Sequence, residues 1–240
     1  MDFELIASTF PRMLAVLDKT LILAASSLAI GFFLAIGLAV ASLSRFAVAR
    51  SLVAGYVYVF RSTPLLVQLF LIYYGSGQFR HAFEAVGLWA LFKDAWFCAI
   101  FALTLNTAAY SCMIIRGGLQ SVPWGQVEAA RAVGMSSVLA FRRIVFPIAI
   151  RQALPAYSNE MILMVKATSL ASTITIIEMT GTAKNIISAT YRPVEVFLVA
   201  GAFYLTINFL ITRAVQALEI WLNPHQRRRS NRRTRVAVPR

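Results

Sequence analysis

The sequence predicts an all-α membrane protein with five transmembrane helices. Of its 240 residues, 59% are hydrophobic and only 14% are charged, whereas a soluble domain contains about a quarter charged residues. A helix needs about 20 apolar residues to cross about 30 Å of hydrocarbon. Five apolar stretches reach or approach that length: residues 21–43, 52–79, 95–115, 152–177 and 196–212. Three of these spans contain no charge, whereas the second contains Arg61 and the fourth contains Glu160 and Lys166.

The positions of the basic residues predict the side of the membrane on which each connection lies. If the N-terminus is outside, the inner connections contain Arg45 and Arg50, then five arginines in 116–151, then Arg213 and seven tail arginines. The outer connections contain only Arg12, Lys19, Arg80, Lys93, Lys184 and Arg192. Because basic residues accumulate in cytoplasmic loops, we expect a periplasmic N-terminus and a cytoplasmic C-terminus.

Both ends of the chain are predicted to lie outside the spans. Residues 1–19 form a short periplasmic amphipathic segment that we expect Pro11 to interrupt. Asp2 and Glu4 replace the basic start of a signal peptide, so the first span is predicted to be retained. The basic tail at 223–240 contains no aromatic residue for base stacking. We therefore expect it to contact membrane lipid and no nucleic acid.

The second span contains a proline, Pro64, inside its apolar run. Proline removes a helix hydrogen bond and kinks the helix. In lipid, the carbonyl group that loses its partner must find another inside the protein or in a wet cavity, and Ser62 or Thr63 could supply one. A kinked helix that contains Arg61 is expected to lie inside the bundle.

The longest cytoplasmic connection, 117–151, is predicted to be ordered. Pro123 suits the first turn of a helix over 124–133, and Gly134 suits its C-terminal cap. Ser136 or Ser137 could cap a second short helix, which should stop before Pro147. Two interpretations remain open: an amphipathic helix at the membrane surface, or a docking platform for a soluble partner.

The residues that would indicate an enzyme are missing from the sequence. The phosphate-binding pattern GxxxxGK[ST] is absent, so we expect no ATP binding by this chain. His81 and His225 lack metal-ligand spacing, and we find no nucleophile–base pair, so no metal site or catalytic residue is predicted. Cys98 and Cys112 fall in one span about 21 Å apart along a helix, which is too far for a disulfide.

Several stretches of the sequence resemble the permeases of ABC importers. Glu128, Ala129 and Ala130, followed by Gly134 and later by Pro147, resemble the EAA signature of these permeases. Residues 60–68, 102–110 and 153–160 are similar to polar amino acid permeases, above all the M-type subunits of histidine/lysine/arginine/ornithine and octopine or nopaline systems. The resemblance covers about 20–222.

The resemblance implies a type I importer permease fold in the bacterial inner membrane, with 20–222 as the transmembrane permease domain. It also implies a second permease subunit, a dimer of ATP-binding subunits that use ATP and Mg, and a periplasmic solute-binding protein. No cofactor is expected on this chain. The five signature residues would contact the ATPase, with 117–151 as the coupling segment. We expect the helix dipole to favour Glu128 early in its helix.

Glu160 is the most informative candidate for substrate contact. A charged residue at the centre of a membrane helix costs about 2.5–3.5 kcal/mol and indicates function. The resemblance implies that Glu160 contacts a basic substrate, and the alternative is an ion pair with Arg61. Lys166 is a poorer partner, because six residues of helix rotate it by roughly 240°.

Further polar residues are candidate contacts for the ends of the substrate, and the alternative is hydrogen bonding between helices. They are Arg61, Thr63, Asn106, Thr107, Asn159, Ser169 and Thr173.

Two classes of transporter fit these features. The first is a passive translocation pathway, built with a partner permease and driven by a separate ATPase. The second is a self-sufficient ion-coupled carrier in which Glu160 relays protons. Five spans without an internal inverted repeat disfavour the carrier. The substrate stays open among histidine, lysine, arginine, ornithine and opines.

Overall fold

The structure is a computed structural model that describes residues 2–222, and these residues form twelve α-helices without a β-strand. The predicted tail at 223–240 lies outside the described residues. The helices are α1 (Phe3–Leu14), α2 (Leu17–Ser42), α3 (Ala47–Ser62), α4 (Leu65–Gln78), α5 (Arg80–Ala85), α6 (Trp89–Phe92), α7 (Ala95–Gln120), α8 (Trp124–Ala132), α9 (Ser137–Ala140), α10 (Phe146–Ala167), α11 (Met179–Thr190) and α12 (Pro193–Leu222). A π-helical turn, Phe141–Val145, joins α9 to α10, and a 3₁₀ segment, Thr168–Ile174, follows α10.

Three of the predicted spans are single uninterrupted helices and two are broken. By length and composition, α2, α7 and α12 can each cross a membrane alone. The second span consists of α3 and α4, which meet at an angle of 101°. The fourth runs from α9 to the 3₁₀ segment and bends by 51° into α11. Counting each bent pair as one span gives five, in agreement with the sequence.

Helix α7 lies at the centre of the bundle and packs against α2, α3, α4 and α10. Its buried face contains several alanines, including Ala99, Ala102, Ala108 and Ala109, all fully buried. Small residues allow membrane helices to approach closely. The free cysteines Cys98 and Cys112 are buried in the same helix, as predicted.

The contact between α7 and α10 depends on Gly118. A Cβ atom there would lie 2.7 Å from the Ala149 carbonyl oxygen and 3.0 Å from the Ala153 Cβ atom, whereas a Cβ atom at Gly117 would have no neighbour within 4 Å. We expect Gly118→Val to lower the free energy of unfolding by about 1–3 kcal/mol more than Gly117→Val, because it forces the two helices apart. The melting temperatures of the two purified variants provide the measurement, and equal values would contradict this packing.

The prediction that Pro11 interrupts the N-terminal segment is wrong. Helix α1 continues through Pro11 to Leu14. A proline inside a helix costs about 3 kcal/mol, but this helix packs on α12 and α11. Met13 and Thr9 are buried, and the Phe10 ring lies 4.9 Å from the Phe203 ring. Tertiary packing therefore outweighs the local cost of the proline.

The predicted helices of the 117–151 connection are confirmed, except for the end of the second. Helix α8 begins after Pro123, Gly134 has φ +78°, and the Leu139 N–H donates to Ser136 Oγ at 3.3 Å. The helix does not stop before Pro147, because the π-helical turn carries it into α10. Pro147 then lies directly after the π-helical turn, at the second residue of α10.

Helix α3 lies at the surface of this chain, so the prediction that it lies inside the bundle is wrong for the chain by itself. Only Val53 and Val57 of α3 are buried, and Arg61 is exposed. The sharp bend at Thr63 and Pro64 directs α4 into the bundle instead. Gln68 and Leu69 of α4 are buried there.

Candidate functional site

The break at Pro64 is stabilised by two buried side-chain amides. Because Pro64 has no N–H, the carbonyl group of Phe60 loses its helical partner. It accepts hydrogen bonds from Gln68 Nε2 at 2.9 Å and from Asn106 Nδ2 at 3.3 Å. Asn106 Nδ2 also donates to Gln68 Oε1 at 2.9 Å. The expected donors were Ser62 or Thr63, so this part of the prediction is wrong.

This network occupies two of the predicted substrate contacts. Thr63 Oγ1 accepts a hydrogen bond from Gln68 Nε2 at 2.7 Å and donates to the Val59 carbonyl at 2.8 Å. The Asn106 amide group donates to the Phe60 carbonyl and to Gln68 Oε1, and its side chain is buried. In this conformation Asn106 and Thr63 hold α3, α4 and α7 together. Gln68, which completes the network, was missed because its amide stands within an apolar run.

Glu160 is buried in α10, with only 6% of its surface exposed. Its Oε1 atom accepts a hydrogen bond from Thr107 Oγ1 of α7 at 2.7 Å. Its Oε2 atom forms no hydrogen bond with residues 2–222 and is not among the fully buried polar atoms that lack a partner. One carboxylate oxygen is thus anchored, and the other can accept a hydrogen bond from a ligand.

Arg61 does not pair with Glu160 in this structure. None of the four ion pairs within residues 2–222 includes either residue. The Arg61 guanidinium lies over the Tyr110 ring instead, 5.1 Å from the ring centroid. Tyr110 follows Thr107 by one helical turn on α7, so α7 places the arginine close to the carboxylate without joining them.

The remaining candidates do not join this site through hydrogen bonds. Asn159 is exposed beside Glu160 on α10. Ser169 Oγ donates to the Lys166 carbonyl at 2.7 Å, and Thr173 Oγ1 donates to the Leu170 carbonyl at 2.6 Å. Each hydroxyl group thus bonds the backbone carbonyl three residues before it.

A second buried carboxylate, Glu178, was not predicted from the sequence, because it follows the apolar run of the fourth span. Its Oε1 atom accepts from the Gly181 N–H at 2.9 Å, which caps α11, and its Oε2 atom accepts from the Tyr204 hydroxyl of α12 at 3.1 Å. The neighbouring Met179 N–H donates to Thr20 Oγ1 of α2 at 3.3 Å. Both oxygens of Glu178 are bonded, so this carboxylate joins helices. In the sequence, Glu178 could have been recognised as an acidic residue at the start of a helix, where the helix dipole favours a negative charge.

The predicted coupling segment presents an apolar surface, called here the α8–α9 surface. Trp124, Val133 and Val138 expose 63%, 73% and 78% of their areas. Glu128 and Ala129 are exposed beside them, whereas Ala130 is buried.

The expected dipole contact of Glu128 is wrong, because this residue is the fifth of α8 and lies outside the first turn. The cap at Gly134 is confirmed: its N–H donates to the Arg131 carbonyl at 2.9 Å, and the Met135 N–H donates to the Ala130 carbonyl at 3.0 Å.

Broken spans around a buried carboxylate, together with an exposed helix–glycine–helix segment, are typical of a membrane permease. The comparisons with known proteins identify the family. Residues 12–223 match the family described as binding-protein-dependent transport system inner membrane component. The chain belongs to this family, and it is therefore an inner-membrane permease component of an ABC import system.

Several named proteins are similar to the chain over most of its length. It is 64% identical to the nopaline transport system permease protein of Agrobacterium fabrum, over 95% of both chains. It is 53% identical to the octopine transport system permease protein of Rhizobium radiobacter, over 97% of this chain and 94% of that protein. It is 44% identical to the arginine ABC transporter permease protein of Escherichia coli K12, over 70% and 75%.

A solved structure confirms the fold. The crystal structure of an amino acid ABC transporter with histidines contains a chain that is 33% identical to this one. The two superpose with a TM-score of 0.80 over 91% of this chain and 98% of the other. The predicted type I importer permease fold is thereby confirmed.

Proposed function

We propose that this chain forms, with a second permease subunit, the translocation pathway of an ATP-driven importer for guanidino amino acids and their opines. The observation that carries the proposal is the geometry of Glu160. A mid-span carboxylate with one oxygen anchored by Thr107 and the other unbonded suits a cationic group of the substrate. A charge-assisted hydrogen bond there is about twice as strong as a neutral one.

The named relatives support this choice of substrate. They are permeases for nopaline, octopine and arginine, and both opines are conjugates of arginine. The three compounds share a guanidinium group, which a buried carboxylate recognises. The other candidates from the sequence, histidine, lysine and ornithine, lack that group.

The partners follow from the family and from the α8–α9 surface. We propose that a dimer of ATP-binding subunits, which use ATP and Mg, docks on this surface through Trp124, Val133 and Val138. A periplasmic solute-binding protein delivers the substrate from the other side. This chain would bind no cofactor and would catalyse no reaction itself.

The proposed topology places the N-terminus in the periplasm and the C-terminus in the cytoplasm. His81 on α5 and Val138 on α9 are both highly exposed and fall on opposite sides in this arrangement. We expect an impermeant maleimide to label His81→Cys in intact spheroplasts, and to label Val138→Cys only after solubilisation. The native cysteines are buried and serve as the background. Labelling of Val138→Cys from outside would reverse the topology.

Reconstitution tests the function as a whole. Proteoliposomes that contain this chain, its partner permease and the ATPase should accumulate arginine or nopaline only with ATP inside and the binding protein outside. The uptake should persist when a protonophore collapses the proton gradient. Uptake that needs the gradient and not ATP would support the ion-coupled carrier instead.

A further inference from the structure

A groove of about 500 Å³ between α2, α3 and α7 contains two guanidinium groups, those of Arg61 and Arg116. Four residues with hydroxyl groups also line it, Ser42, Tyr58, Ser62 and Tyr110, and the other lining residues are apolar or contain sulfur. Among the described residues that line the groove, none is acidic.

The groove extends from the level of Glu160 towards the α8–α9 surface. Tyr110, at its upper end, follows Thr107 by three residues, or about 4.5 Å of helix rise. Arg116 follows Tyr110 by six residues, or about 9 Å. Helix α7 ends at Gln120, just before α8. In the proposed topology, the Arg116 end of the groove is therefore its cytoplasmic end.

Neither arginine in the groove has an anionic partner within residues 2–222. All four ion pairs there involve other basic residues. The Tyr110 ring attracts the Arg61 cation but leaves the N–H donors of the guanidinium available, and five such donors are present on arginine. Because an unpaired charge inside a membrane is costly, Arg61 indicates an anionic ligand, and Arg116 adds a second positive charge at the end of the same groove.

We infer that this groove is a carboxylate-binding subsite of the pathway, and the inference rests on the proposed function. Arg61 binds the carboxylate of the arginine moiety, and Arg116 binds the additional carboxylate of an opine. The order of charges along the site, with Glu160 first, then Arg61, then Arg116, matches the order of groups along an opine. The planar guanidinium fork suits a carboxylate in a bidentate arrangement.

Depth within the membrane favours a substrate over a lipid headgroup as the anion. Arg61 lies nine residues after the start of the second apolar stretch, 52–79, or about 13.5 Å along α3. That distance is nearly half of the hydrocarbon thickness of about 30 Å. A lipid phosphate at the membrane surface could reach Arg116 but would not reach Arg61.

The test is direct ligand binding to the purified complex of this chain with its partner permease and ATPase, without the binding protein. We expect Arg116→Gln to weaken nopaline binding about tenfold, the loss expected for one charge-assisted hydrogen bond, and to leave arginine binding unchanged. Arg61→Gln should weaken both ligands by a similar factor. Arg213→Gln removes the same charge from α12, outside the groove, and should change neither.

The possible outcomes distinguish failure of the carboxylate-binding subsite from failure of the proposed function on which it rests. Equal effects of Arg116→Gln on nopaline and arginine would overturn the subsite, and so would unchanged nopaline binding accompanied by loss of co-purified anionic lipid. If Arg61→Gln does not fold, Arg116→Gln decides alone. A wild-type complex that transports neither arginine nor nopaline would refute the proposed function itself.

Discussion

The Gly134→Val variant should reach the membrane in normal amount and lose nearly all ATP-driven uptake. Gly134 has φ +78°, a conformation that a β-branched residue adopts only with strain. Valine would therefore disturb the turn that joins α8 to α9 and would displace Val133 and Val138 on the docking surface. Uptake into proteoliposomes and substrate-stimulated ATP hydrolysis provide the measurement.

Gly134→Asn is the matched control for this variant. Asparagine tolerates the left-handed conformation better than other residues with a side chain, so most of the uptake should survive. Glu128→Lys provides a second test, since it reverses an exposed charge on the α8–α9 surface without straining the turn. Full uptake and full ATPase coupling in both Gly134→Val and Glu128→Lys would exclude this surface from docking.

Replacement of Glu160 by glutamine should weaken arginine binding about tenfold while the complex still assembles. The substitution keeps the shape of the side chain and its hydrogen bond with Thr107 but removes the charge. Loss of one charge-assisted hydrogen bond costs about 1–2 kcal/mol, or about tenfold in affinity. Citrulline, the neutral isostere of arginine, should bind the wild-type and the Glu160→Gln complexes with equal affinity. Equilibrium binding of both ligands to the purified complex provides the measurement.

Two controls separate substrate contact from a structural role of Glu160. Glu178→Gln changes the other buried carboxylate, whose oxygens are both bonded; it should lower stability without altering the preference for arginine over citrulline. Arg61→Gln combined with Glu160→Gln should not restore binding or stability, because the structure contains no ion pair between them. Normal arginine affinity in a stable Glu160→Gln protein would exclude substrate contact.

The helices could be predicted from the sequence wherever a long apolar run decides the structure. The spans that became α2, α7 and α12 are uncharged or nearly so, and the bilayer allows few alternatives to a helix there. The turn at Gly134 and the cap at Ser136 were also predictable, because each depends on local backbone chemistry. The broken spans were less predictable, since the 101° bend at Pro64 depends on the distant amide of Asn106.

In the candidate site, too, features that depend on the local sequence could be predicted, whereas contacts between residues far apart in the chain could not. Glu160 could be identified because a carboxylate in an apolar run is rare and costly. Its partner could not, because the contact with Thr107 joins residues that are 53 positions apart. The role of Asn106 stayed open between substrate contact and helix packing, and Gln68 was missed, because the sequence does not show that both amides bond the Phe60 carbonyl.

The π-helical turn at Phe141–Val145 joins α9 to α10, so that the chain from α9 to Glu160 forms one continuous helical segment. From Ser137 to Glu160 the chain is helical without interruption, which corresponds to about 35 Å at 1.5 Å per residue. A tilt imposed on Val138 by a docked subunit would thus reach the carboxylate through one continuous helical segment. The turn also sets how the α8–α9 surface is oriented about the helix axis relative to Glu160. Removing one residue from the turn would rotate that surface by about 100° relative to Glu160.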